Sequence, residues 1–288
     1  MTLIRGSALL GYCELVSELG FDAVPLLARA HLRPEAVSSD GDHFIDYRSA
    51  VAALELGATA TGTADFGRRL ASRQGVEILG PVGVAARTAP TVGEALTAVD
   101  QYMSVYSPAL SVTIDPQMDQ PHARLDWRIT ADRAPSHRQS AELGVGVSLR
   151  IIRLLAGEDV MPVSVSFRHP PVAEVENYRA YFDCPVHFES LTNGFLFSRA
   201  VLARPLGSDG AVHEVIRDYL NSIVIPIDAH LEESVRLLVR HMLPTGGLGI
   251  DIVAAHLALH PRTLQRQLAA RGSGFAELVD EVRRSEAE

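Results

Sequence analysis

"DIVAAHLALHPRTLQRQLAARG", residues 251–272, carries the pattern from which the rest of the chain is read. Apolar residues recur at helical spacing on both sides of a three-residue break, "ALH" (258–260). Val253 and Leu257 share one face of the first segment, and Ala254 is small enough to let a second helix cross closely. Leu259 points back to the core from the break. Pro261 opens the second segment, where a missing N–H costs nothing because the first helical position has no partner for it. Leu264 and Leu268 anchor that segment. Arg262, Gln265, Arg266 and Ala269 then follow i, i+3, i+4, i+7 spacing, which puts them on one outward stripe. Two helices crossing at a tight corner, the second with donors near its N-terminal end, match the geometry of a helix that enters a major groove. The same spacing also fits a solvated arginine face on an ordinary helix pair.

Around this stretch the chain is acidic. Its 288 residues carry a formal net charge of -9, yet residues 257–272 hold three arginines and no acid. All 26 basic residues are arginine, which fits either phosphate and guanine recognition or the codon bias of a GC-rich genome. Global charge argues against non-specific coating of nucleic acid, while a groove-reading helix responds to charge at close range. Residues 231–288 hold seven arginines against eight acids, so most of the acidity lies upstream.

Hydrophobic content of 47% supports a packed core and excludes a disordered chain. Two cysteines, Cys13 and Cys184, make no disulfide framework and fit a reducing cytoplasm. Glu14 and Glu18 interrupt the apolar start, which reads as an amphipathic helix and not a signal peptide. No run approaches the ~18 apolar residues of a membrane span.

Helices are expected around 9–19, 23–31, 47–62, 64–73, 91–107, 136–156 and 174–182. Thr91 with Glu94 has capping-box spacing. Strands are expected at 77–87, 109–115, 122–129, 162–169, 185–189 and 194–198, with "PQMDQP" (116–121) as a turn. The fold class is α+β: a mixed helix and antiparallel-strand domain, residues 1–228, followed by an all-α helix-turn-helix segment, residues 229–288. The junction is expected near "IVIPIDAH" (223–230), ahead of "LEESVRLLVRHM" (231–242), whose Leu231, Val235, Leu238, Val239 and Met242 share a face.

"HPRTLQRQLAARGSGFAELVDEVRRSEAE" (260–288) resembles the first helix-turn-helix of AraC/XylS-type transcription regulators. That family's R-x-L-x-R-x-L/F helix corresponds to Arg262–Leu268, followed by Gly272 or Gly274, Phe275, Arg283-Arg284 and Ala287. His260 stands where serine is frequent, and Ala258 where a turn glycine is common. Upstream, "LLGYCELVSELG", "ILGPVGVAAR", "YSPALSV", "SFRHPP" and "FDCPVHF…NGFLFSRAVLARPL" resemble the effector domain of the arabinose-binding-like subfamily, which includes VirS-like and ornithine-utilisation-type regulators. The resemblance implies a bacterial DNA-binding transcription regulator whose N-terminal domain, residues 1–228, senses a small molecule and dimerises. It implies DNA contacts by Arg262, Gln265 and Arg266. It also implies that residues 229–288 are the first half of a DNA-binding domain, with the second helix-turn-helix missing and DNA binding weakened. The alternatives are a ligand-sensing and dimerising protein without autonomous DNA binding, and an enzyme with an accidental helix-turn-helix.

No G-x-S-x-G elbow, P-loop, dinucleotide fingerprint or H-E-x-x-H is present, so no enzyme class is indicated, and neither a cofactor nor a metal is expected. His137, His169 and His187 lack ligand spacing. Cys184 with His187 could ligate haem iron, or Cys184 could be a buried residue at a strand start. For an effector pocket the candidates are Tyr102 and Tyr106, one turn apart on a helix, Trp127 on a strand, and Arg87 and His137 near element ends, with Arg87 suited to an acidic effector. An unknown small molecule, DNA and a second copy of the chain are the expected partners; no membrane is.

Overall fold

The computed structural model describes residues 3–37, 43–119, 121–130, 137–223, 231–243, 248–257, 259 and 261–285. Strand β1 (Leu3–Arg5) and a 3-10 turn at Gly6–Leu9 precede helices α1 (Tyr12–Glu18) and α2 (Ala23–Arg29), which fall within the helices expected at 9–19 and 23–31. Strand β2 (Phe44–Asp46) pairs antiparallel with β1, Ile4 opposite Ile45. Helices α3 (Tyr47–Thr61) and α4 (Phe66–Ala71) follow.

The expected strand at 77–87 is instead a 3-10 turn, Val76–Leu79, and helix α5 (Pro81–Thr88). Pro81 occupies the first helical position after Gly80, whose φ is 57°. The misreading has a cause: Val84 is apolar yet exposed, so no polar residue marks the helix's outer face until Arg87.

Helix α6 (Val92–Tyr106) starts at Thr91, whose hydroxyl accepts from the Glu94 N–H at 3.2 Å. Strands β3 (Leu110–Asp119) and β4 (His122–Ile129) form a hairpin, with Val112 opposite Trp127 and Ile114 opposite Leu125. β3 runs on through the segment expected as a turn, since Asp119 pairs with His122. Next come α7 (Arg138–Ala156), β5 (Pro162–Ser166), α8 (Val175–Phe182), β6 (Val186–His187), β7 (Asn193–Ser198) and α9 (Gly210–Ile223). The sheet order is β3-β4-β7-β5-β6, antiparallel throughout except for the parallel pair β5–β6. Leu125 faces Phe195 across β4 and β7, and Ala123 faces Phe197, so one side of the sheet is apolar and lies under the helices.

Beyond α9 the elements among the described residues are helices only: α10 (Leu231–Met242), α11 (Ile250–His256), α12 (Pro261–Ala270) and α13 (Phe275–Ser285). The class is therefore α+β followed by an all-helical segment. Of the junction expected near 223–230, residues 224–230 lie outside the described residues, as do Ala258, His260 and Ala287. Buried apolar side chains form two clusters. One runs from Ile4 to Leu220, the other from Leu231 to Val282 together with Leu3. Successive residues of β1 thus serve different cores: Leu3 packs with the C-terminal helices and Ile4 with the first unit.

Candidate functional site: an apolar cavity and an exposed basic helix

A cavity with an empty volume of about 810 Å³, part of it open to solvent, lies between the apolar side of the sheet and helices α3, α6 and α7. Leu110 and Val112 of β3 and Leu125 and Trp127 of β4 form its floor, because alternate strand residues share a face. α3 contributes Tyr47, Ala50, Val51 and Leu54; α6 contributes Leu96, Val99, Met103 and Tyr106. On α7, Ser140, Gly144 and Ser148 form an i, i+4, i+8 stripe beside Leu143, Val147 and Ile151. Gly144 is there for close approach: a Cβ would stand 2.3 Å from the Trp127 ring, and no side chain fits. Ile4 of β1 is also part of the lining.

The polar atoms of the wall are neutral. Tyr47 and Ser140 share a hydrogen bond of 3.3 Å, and burial pushes the Tyr47 hydroxyl up to about 12. Burial likewise raises Tyr106, against an opposing pull from Arg5. Gln74 is tied down: its amide nitrogen donates to the Ala8 and Leu10 carbonyls at 3.0 and 2.9 Å.

Of the five residues expected in a pocket, Tyr106 and Trp127 line this cavity and the other three do not. Tyr102 is buried but turns away, donating to Asn221 Oδ1 on α9 at 2.6 Å. Arg87 is exposed at the last turn of α5. His137 is half-buried immediately before α7. Being near element ends did not bring the last two to this cavity. The Ser140–Gly144–Ser148 stripe was the missed signal. Small residues at helical repeat on an otherwise bulky apolar helix leave room, and the sequence shows them.

On α7, outside the cavity wall, Glu142 anchors a buried charge network. Its carboxylate accepts from Arg68 Nε at 2.8 Å and from the Tyr178 hydroxyl at 2.6 Å, and the Arg68 guanidinium lies 3.7 Å from the Tyr178 ring centre. Burial pushes the Glu142 carboxyl up while Arg68 opposes the shift. Burial also lowers His169, whose Nε2 stands 3.9 Å from Glu142. This network ties α4, α7 and α8 together. Cys184 is half-buried with its thiol pushed up to about 11 by burial, which disfavours the thiolate that iron ligation needs, and His187 is exposed.

The C-terminal unit presents a different surface. Leu264 and Leu268 of α12 are fully buried against α10, α11 and α13, with Val253 and Ala254 beneath them. Burying each leucine contributes roughly 2 kcal/mol. Arg262, Gln265, Arg266 and Ala269 all fall on the exposed face. Among the described residues Arg266 has no ion-pair partner, whereas Arg236 pairs with Glu281 and Glu232, and Arg283 with Asp280. The helix ends at Gly272, with φ of 80°, where the Ser273 N–H returns to the Leu268 carbonyl at 3.0 Å.

Residues 20–206 match the model of the arabinose-binding domain of AraC transcription regulators, N-terminal. The chain belongs to that family. This AraC-type regulator is 37% identical to the HTH-type transcriptional regulator VirS of Mycobacterium tuberculosis, over 99% of the chain and 84% of VirS. It is 24% identical to the ornithine utilization regulator of Pseudomonas aeruginosa, over 94% of the chain and 80% of that protein. The crystal structure of the transcriptional regulator CdpR from the same organism shares the fold, with a TM-score of 0.50 and 20% identity over 92% of this chain and 82% of that one. The AraC-type chain is thus a DNA-binding transcription regulator with a small-molecule-sensing N-terminal domain. Among its described residues no helix is long and apolar enough to cross a membrane.

Proposed function

We propose that the cavity is the effector site and that Arg262, Gln265 and Arg266 read DNA bases, with the sensing unit at residues 1–228 and the reading unit at 229–288. The observation that carries this is the two-sidedness of α12. Leu264 and Leu268 hold it down while Arg262, Gln265 and Arg266 lie on its exposed face. β1 supplies a physical link, since Ile4 lines the cavity and its neighbour Leu3 packs among the C-terminal helices. A ligand that moves Ile4 moves Leu3 with it. The regulator acts in the cytoplasm as a homodimer, an assembly that analytical ultracentrifugation of the chain would read.

The test of base reading is selection from a random pool of duplex DNA. The wild-type chain is expected to enrich a recurring sequence motif. The triple variant Arg262→Ala, Gln265→Ala, Arg266→Ala is expected to lose it while keeping its circular dichroism. An unchanged enriched motif in the triple variant would overturn the reading.

A further inference from the structure

We propose that the effector is an uncharged, mainly apolar molecule carrying one or two hydrogen-bond acceptors, and neither a sugar nor an ionised metabolite. The proposal rests on the cavity being the effector site. Three observations carry it.

First, no acidic or basic side chain is among the residues lining the cavity. A carboxylate or ammonium group entering it would lose hydration with no countercharge to replace it. The charges nearby are committed elsewhere. Arg68 and Glu142 bond to each other, and Arg87 is out in solvent. Arg5 follows Ile4 in sequence, but its Nε donates to the Val105 carbonyl and its guanidinium lies 5.3 Å from the Phe44 ring centre.

Second, the wall offers a few neutral donors. The Trp127 indole N–H can only donate, and the Tyr106 hydroxyl has no protein hydrogen-bond partner among the described residues. Such groups call for a carbonyl, ester, ether or alcohol oxygen. Third, a free sugar carries a hydroxyl on nearly every carbon. Gln74 has already spent its donors on backbone carbonyls, and Tyr47 and Ser140 hold each other, so most sugar hydroxyls would be buried without partners.

Trp127 is the chain's only tryptophan and lines the cavity, so its emission reports occupancy. The test titrates the intact chain near neutral pH with decanone, decanoate, decylammonium and arabinose. The ketone is expected to shift Trp127 emission saturably, at a dissociation constant at least about tenfold below those of the two ions, and arabinose to leave it unmoved. Tyr106→Phe is expected to weaken the ketone about two- to tenfold and to leave decane binding unchanged. Tighter binding of decanoate, decylammonium or arabinose than of the ketone would overturn the ligand class while leaving the cavity as effector site. Silence of Trp127 to all of them would overturn the effector-site reading itself, and this proposal with it.

Discussion

Around the cavity, α3, α6 and α7 present aliphatic side chains and neutral hydroxyls; on α12, the outward face presents two guanidinium groups and an amide. The two surfaces lie in one chain and suit opposite ligands. An apolar wall without charge stabilises molecules that water rejects. An open arginine face attracts a polyanion from a distance and releases its counterions on contact. The contrast extends to single arginines. Arg68 is 1% exposed and held by the Glu142 carboxylate and the Tyr178 ring, whereas Arg266 stands in solvent and is available to a partner outside the chain. Charge placement, more than charge count, separates the sensing unit from the reading unit.

The largest test of that separation is Leu264→Asp. A carboxylate in place of a fully buried leucine is expected to cost more than about 4 kcal/mol and to unfold the C-terminal helices. Circular dichroism would lose that helix content and DNA binding would vanish, while the Trp127-reported unfolding of the first unit would hold its midpoint. An equal fall in the Trp127 transition would mean that the two clusters form one cooperative block.

In the first unit, Glu142→Gln leaves Arg68 buried without its countercharge and is expected to cost about 3–5 kcal/mol. Adding Arg68→Met to Glu142→Gln is expected to recover most of that loss, read by the Trp127 midpoint in denaturant. On the exposed side the pattern inverts. Arg266→Ala is expected to leave stability within about 0.5 kcal/mol of wild type and to weaken a selected DNA site by about 1–3 kcal/mol, measured by anisotropy titration.

How much of this was legible in the sequence follows from the same physics. The helix-turn-helix was readable because its inner and outer faces differ sharply: Leu264 and Leu268 alternate with Arg262, Gln265 and Arg266 at helical spacing. α6 was readable from Thr91 and Glu94, and the β3–β4 hairpin from strict alternation. α5 was misread because an exposed valine hid its outer face. β1 and β2 were missed because three-residue strands carry too little period to detect. The cavity was half legible. Its aromatic members, Tyr106 and Trp127, stand out by type, but its aliphatic wall looks like any core. Arg87 and His137 were chosen for their place near element ends, a signal that does not say which cavity, if any, a side chain enters, and neither lines this one.

The smallest expected effect concerns pH. Arg204 donates two hydrogen bonds, of 2.8 and 2.7 Å, to the Asp159 carboxylate and holds it below the ordinary value, tying the end of α7 to the segment before α9. A depressed carboxylate stabilises the fold above its unfolded pKa, near 4, and that contribution is lost as pH falls through the lower folded value. Asp159→Asn is therefore expected to lower the melting temperature slightly near neutral pH and to converge with wild type in acid, which flattens the acid limb, as read by thermal melts across that range.

The account turns on where α12 goes when DNA is present. A crystal structure of the chain with a duplex recovered by selection decides it. The account predicts α12 in the major groove, with Arg262, Gln265 and Arg266 within hydrogen-bond reach of base edges. DNA bound at another face, with those three side chains packed against protein, would contradict it.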